Sequence, residues 1–169
     1  MSTALVKQLR AATGARLLDC KAAVDATGDL DAAFEWLRKK GAARAEKLVD
    51  RVAAHGLVAA RAAGGAGCLV EVNSETDFVA RTPEFRAFTA DLAAAALARQ
   101  ADMSAEIRAA TGAARVDAVL LEALELPTGD RVADAVKSLA AHVGERVVVR
   151  RASTIVGDVV GAYAHGGLE

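Results

Sequence analysis

Val70-Glu71-Val72-Asn73-Ser74-Glu75-Thr76-Asp77-Phe78-Val79-Ala80-Arg81 is the stretch on which the reading of this chain turns. Its β-branched, apolar start predicts a strand, and the polar cluster after it marks a turn. Inside that cluster Asp77 is followed at once by Phe78, an acid beside a large ring at a strand-to-helix corner. A ring placed there needs a pocket, in the protein's own core or in a partner. Taken alone, a core plug is the plainer of the two readings. Immediately downstream, Thr82 is suited to cap a helix and Pro83 to occupy its first position, where a missing N–H costs nothing. Phe85, Phe88 and Leu92 then line one helical face, with alanines dominating from Ala93 to Ala98. The corner is thus set between a strand and a firmly started helix, an arrangement that preorganises a projecting side chain.

Upstream, His55–Arg61 and Gly67–Val72 read as two strands, with Ala63-Gly64-Gly65-Ala66 as hairpin material between them. Glu71 between Val70 and Val72 predicts that one face of the second strand meets solvent. Residues 42–53 are alanine-rich and charged, and read as a helical or extended linker.

Residues 2–41 read as three short helices. Ser2 or Thr3 caps the first, whose apolar face is Leu5, Val6 and Leu9, and Thr13-Gly14 ends it. The second carries Leu17, Leu18, Ala22 and Val24 and stops near Thr27-Gly28. Asp29 caps the third, where Leu30, Ala33, Phe34 and Leu37 follow helical spacing. Gly41 is expected to end it, with Arg38, Lys39 and Lys40 at the negative end of its dipole. Trp36 falls off the apolar stripe and reads equally as a contact residue or as packing against the linker. Three helices in so short a span make a binding module more often than an enzyme.

Past the long helix, helical periodicity is expected over residues 104–110, 115–126 and 131–143, broken at Leu126-Pro127-Thr128-Gly129-Asp130. Arg146–Arg151 and Ile155–Tyr163 read as the last strands, with Val147–Val149 buried on both sides.

Composition narrows the function classes. Net charge is -1 over 169 residues, which argues against nucleic acid as the main partner. The basic excess is gathered in Arg38, Lys39, Lys40, Arg44, Lys47 and Arg51, a solvated face or a docking surface for an acidic partner. Cys20 and Cys68 match no zinc spacing and read as buried free thiols. His55, His142 and His165 lie far apart, and Gly64–Gly67 lacks the Lys-Ser/Thr ending of a phosphate loop. Ser74 has no base near it in sequence, so an enzyme reading has almost nothing to stand on. No run reaches the ~18 apolar residues needed to span a bilayer, and the expectation is a soluble chain that stays where it is made.

The quoted stretch resembles the signature of the translation elongation factor Ts family, in which Asn-x-Glu-Thr-Asp-Phe-Val-Ala followed by Arg or Lys is the hallmark. Leu9-Arg10-Ala11-Ala12-Thr13-Gly14-Ala15-Arg16-Leu17-Leu18-Asp19-Cys20-Lys21-Ala22-Ala23-Val24 resembles that family's amino-terminal signature, and Gly28–Gly41 continues the match. Gly161-Ala162-Tyr163-Ala164-His165-Gly166 is similar to its Gly-x-Tyr-x-His-Gly segment, and Gly144-Glu145-Arg146 and Arg150-Arg151 also match. Arg16, Ala22 and Val24 depart from it, standing where the family usually has Gly or Ser, a basic residue, and Leu.

The resemblance implies an α+β fold. A three-helix, ubiquitin-associated-like module (1–41) and a linker (42–54) would precede a core of helices packed on a small, largely antiparallel sheet (55–169). That core would be incomplete at its C-terminal end, since in the family a further segment follows. The implied function is guanine-nucleotide exchange on elongation factor Tu, in its GDP-bound and nucleotide-free forms, without covalent catalysis, cofactor or bound metal. Thr76, Asp77, Phe78 and Val79 would form the exchange wedge, with His165 touching a second part of the partner. Leu5, Val6, Leu9, Arg10, Thr13, Gly14 and Lys21 would serve docking by the amino-terminal module. The alternative is a binding fragment that docks on the same GTPase without driving exchange. A homodimer stays open, as does the setting, the bacterial cytoplasm or an organelle matrix.

Overall fold

The computed structural model describes residues 2–107, 113–116 and 118–165. The chain forms two compact units, one of Met1–Asp50 with Lys137–Glu145, the other of Arg51–Val136 with Arg146–Glu169.

In the first unit, α1 (Thr3–Thr13), α2 (Leu17–Thr27) and α3 (Leu30–Glu46) follow one another with short breaks. The Ser2 hydroxyl accepts the Leu5 N–H, and the Asp29 carboxylate accepts the Ala32 N–H at 2.9 Å, so each supplies one of the acceptors that a helix start lacks. Val6, Leu9, Cys20, Ala23, Val24 and Ala33 form the core, with Leu5, Leu30, Phe34, Trp36 and Leu37 packed against it. Trp36 is half-buried and carries the Lys40 ammonium 4.7 Å above its ring. The last turns of α7 (Val132–Val143) belong to this unit. There a Cβ on Gly14 would lie 2.9 Å from His142 Cε1, and one on Gly41 would lie 3.2 Å from the Ala141 Cβ. Glycine lets the backbones approach.

That approach explains one correction. Gly41 does not end α3, which runs on to Glu46, so Arg38, Lys39 and Lys40 lie within the helix and Arg44 occupies its last turn. A second correction concerns α2. Leu17 and Leu18 are 51% and 78% exposed, and its buried face is Cys20, Ala23 and Val24. The Arg16 guanidinium lies against Gly144, which closes α7 in the left-handed conformation, so a cation sits at the negative end of that helix.

The second unit is built on a four-stranded antiparallel sheet of β1 (His55–Ala63), β2 (Ala66–Ser74), β3 (Ala113–Val116) and β4 (Val148–Val156), in the order β1-β2-β4-β3. Ala63 faces Ala66 across Gly64 and Gly65, both at positive φ, as a two-residue hairpin turn requires. Gly65 is needed twice over, because a Cβ there would lie 2.6 Å from the Gly157 carbonyl oxygen. Between Glu71 and Val72 the pairing with β4 slips by one residue, leaving Arg150 as the extra residue of a bulge. Val70 and Val72 are buried while Leu69 is exposed, so one face of β2 is open as its alternation predicts.

Two short helices, α4 (Asp77–Ala80) and α6 (Ala118–Glu122), and the long α5 (Pro83–Ile107) complete the unit. Thr82 accepts the Phe85 N–H on its hydroxyl and the Arg86 N–H on its carbonyl, fixing the start of α5 at Pro83. Phe85, Phe88, Leu92, Ala93 and Ala96 are buried, and the Cys68 thiol donates to the Ala93 carbonyl, tying β2 to α5.

The remaining corrections lie downstream. Helical spacing at 104–110 is the tail of α5 as far as Ile107, and 108–110 fall outside the described residues. Residues 113–116 form an edge strand, because their backbone groups find partners on β4, and that pairing outweighs local apolar spacing. Only one last strand forms. It ends at Val156 where the Gly157 N–H donates to Gly65, and 157–165 carry no regular structure. Val147 and Val149 are buried but Val148 is half-exposed, so that strand is covered on one face.

Gly14→Ala is expected to cost about 1–2 kcal/mol from the left-handed backbone alone. The loss should be larger on the natural background than in His142→Ala, a difference that urea unfolding of the four variants measures. Burial pushes the Cys68 thiol above its ordinary range, more than the Arg61 backbone hydrogen bond and charge pull it down. The folded chain therefore holds this proton more tightly than the unfolded one. That contribution is complete below the unfolded thiol's pKa and is lost as pH rises through the folded one. Between about pH 8 and about pH 10 the natural chain should lose more stability than Cys68→Ala does, by denaturant midpoints.

Candidate functional site

β2 ends at Ser74 and α4 begins three residues later, so the turn between them has few backbone bonds of its own. Side chains supply the rest. The Ser74 hydroxyl, wholly buried, donates to the Thr76 carbonyl at 2.8 Å. Thr76 in turn accepts the Val79 N–H on its hydroxyl at 3.4 Å, and its extended backbone makes it the cap of α4. Glu75 points back toward the body of the unit. Its carboxylate accepts the Arg146 backbone N–H at 2.6 Å and pairs with the Arg51 guanidinium at 3.4 Å. Asn73 donates its amide to the His55 carbonyl at 3.0 Å.

α4 makes one turn, and what it buries is Ala80. Asp77, in the first turn, pairs with Arg81 at 2.8 Å, the arginine side chain largely in solvent and the aspartate half-buried. Phe78 projects outward and is 79% exposed. The ring does not enter the protein's own core. Phe85, seven residues on and fully buried, does. Leaving a large ring in water on a short, capped helix forgoes the free energy its burial would contribute. Val79 beside it is half-buried.

His165 is exposed, and its Nδ1 lies 3.5 Å from the hydroxyl of Tyr163, itself in solvent. The segment before it runs past the open face of the sheet, where Val58, Leu69 and Ile155 are exposed. A groove of ≈ 380 Å³ lies there between Leu69, Ile155, Val160 and Tyr163. On this face Arg151 donates to Glu71 across the strands at 2.6 Å.

The residues expected to dock in the amino-terminal module divide by burial. Val6 and Leu9 are core residues, which removes them from any contact surface. Leu5 is half-buried, and Thr13 is engaged locally, donating to the Leu9 carbonyl at 2.6 Å and accepting the Ala15 N–H. Arg10, Gly14 and Lys21 are exposed. Leu17 and Leu18 are the apolar surface there, missed because helical spacing placed them on a core face. Of the basic run, Arg38 pairs with Glu35, Lys40 with Asp19 and Arg51 with Glu75. Arg38 holds the Glu35 carboxyl below its ordinary value, by hydrogen bond first and charge second. Among the described residues no group of His, Cys, Asp and Glu could hold a metal ion, and no helix is long and apolar enough to cross a membrane.

Residues 75–168 match the family model described as Elongation factor TS. A protein named Elongation factor Ts from Maricaulis maris is 44% identical over 168 residues, covering 98% of this chain and 49% of its own length. Proteins of the same name from Xanthomonas oryzae pv. oryzae and Xanthomonas campestris pv. campestris are each 45% identical over 169 residues, covering 99% of this chain and 53% of their own. The chain thus spans about half the length of these curated relatives.

Phe78→Ala should leave stability within about 0.5 kcal/mol of the natural chain, as a surface substitution does. Phe85→Ala should cost about 3–5 kcal/mol. Guanidinium unfolding of the two variants checks the contrast.

Proposed function

The chain belongs to the elongation factor Ts family, and from that membership we propose that it is a guanine-nucleotide exchange factor in translation elongation, acting on elongation factor Tu in the bacterial cytoplasm. The observation that carries the proposal is the Phe78 ring, 79% exposed beside Asp77 on a corner held by Ser74, Glu75 and Thr76. The ring enters a pocket of the partner near its nucleotide site. Asp77 and its neighbours then disturb the region that holds Mg²⁺. Losing that ion removes the main charge opposing the nucleotide's β-phosphate, an electrostatic route to release. Thr76 and Val79 shape the corner, and His165 contacts a second part of the partner.

The thermodynamics need no covalent step. A factor that binds the nucleotide-free GTPase more tightly must weaken nucleotide binding by the same factor. Burying a phenylalanine side chain contributes about 1.5–3 kcal/mol, and each tenfold in affinity takes about 1.4 kcal/mol. The ring alone therefore accounts for one to two decades of the coupling, and the rest falls to polar contacts and docking. Arg10, Gly14 and Lys21 of the amino-terminal module supply docking, together with the exposed Leu17 and Leu18.

The experiment is release of a fluorescent GDP analogue from elongation factor Tu, with this chain, with Phe78→Ala, and with no addition. The natural chain is expected to accelerate release, and Phe78→Ala to lose about ten- to a hundredfold of that acceleration. Tight binding to the same GTPase with no acceleration would reduce the chain to a docking fragment. Neither binding nor acceleration would end the proposal.

A further inference from the structure

Glu75 stands two residues before Asp77, outside α4, with its side chain mostly buried. Its Oε1 accepts the backbone N–H of Arg146 at 2.6 Å, and both its oxygens lie 3.4 Å from Nη1 of Arg51. The Arg146 guanidinium turns back to donate to the Arg51 carbonyl. Three residues from three separate stretches of the second unit thus close a ring of charge-assisted hydrogen bonds around one carboxylate.

α4 has four residues, too few to stand as an independent helix. The Ser74 hydroxyl, the Thr76 cap and the Asp77–Arg81 pair each join groups two to four positions apart. They set the conformation of the turn. The Glu75 contacts reach 24 residues back along the chain and 71 forward. Arg51 and Arg146 are the first residues of the second unit after Asp50 and after Glu145, so the chain is gripped at both places where it enters.

We infer that Glu75 is a positioning residue for exchange: the Arg51–Glu75–Arg146 ring fixes the direction in which Phe78 projects, and Glu75 itself need not touch the partner. The inference rests on the exchange activity proposed above. Replacing the carboxylate should widen the range of directions open to the ring side chain while leaving docking intact. The loss then falls on the rate at saturation rather than on the concentration needed to reach it.

Two arms test this. In the free chain, amide hydrogen exchange compares Glu75→Ala with the natural protein. Exchange at Arg146 and at Val79–Arg81 should rise by about tenfold or more, with the α5 amides unchanged. In GDP release from elongation factor Tu, Glu75→Ala should lower the saturating rate by about tenfold, with the half-saturating concentration within about twofold. Glu75→Gln, whose amide oxygen still accepts the Arg146 N–H, should recover most of that loss. Because Glu75 acts through the ring, Glu75→Ala combined with Phe78→Ala should be no slower than Phe78→Ala alone. Unchanged amide exchange at Arg146 and Val79–Arg81 overturns the inference, and so does a Glu75→Ala loss that adds in full to that of Phe78→Ala. A natural chain that does not accelerate release ends the exchange reading and the positioning role with it. The amide arm still decides whether the ring of residues holds the corner.

Discussion

The carboxylate of Glu75 and the backbone N–H of Arg146 meet at 2.6 Å, and the shape of the exposed corner depends on that contact and the ones around it. A strand leaves its last groups unpaired, and a helix opens with four N–H groups lacking partners. Where the two abut, both deficits fall within a few residues. Ser74 and Thr76 meet part of them with their hydroxyls, and Glu75 ties the turn to the Arg146 backbone. A longer loop would satisfy the same groups with water and let the tip wander.

Holding a phenylalanine in water has a cost, and the neighbouring residues show where it is offset. The fully buried Phe85 and Leu92, with the nearly buried Phe88, give the second unit a ring-and-leucine core along α5, against which the sheet lays Val70 and Val72. The stability of the unit does not draw on Phe78. The same separation appears in the first unit, where Val6 and Leu9 are committed to the core while Leu17 and Leu18 remain outside. Phe78, like Leu17 and Leu18, sits at the start of a short helix, beside residues that fold without it.

Much of this was legible in the sequence, and the reasons differ from place to place. The hairpin at Gly64-Gly65, the caps at Ser2 and Asp29 and the start of α5 at Thr82-Pro83 are local, each decided by residues within one turn of each other. Gly41 misled because its glycine answers to Ala141, a hundred positions away, rather than to its own helix. Leu17 and Leu18 misled because helical spacing names a face but not what covers it. β3 was invisible since four residues paired at a sheet edge carry almost no pattern of their own. At the corner, the place of Asp77 and Phe78 between strand and helix could be read. That Phe78 faces solvent could not, since from its place alone a core plug is the plainer reading. Nor could the roles of Glu75 and Ser74, because their partners lie off the motif or within its backbone.

The bond between Glu75 and Arg146 closes a stretch of 71 residues. Loop closure on that scale costs on the order of 4 kcal/mol of chain entropy, more than one hydrogen bond returns. β4 brings Arg146 into place by pairing with β2 along its length, so the sheet meets that cost and the bond forms afterwards. On a ribosome the hairpin and α5 emerge well before β4 exists. During synthesis, then, the segment with the exposed ring is made before β4 and takes its final shape later, once that strand has joined the sheet.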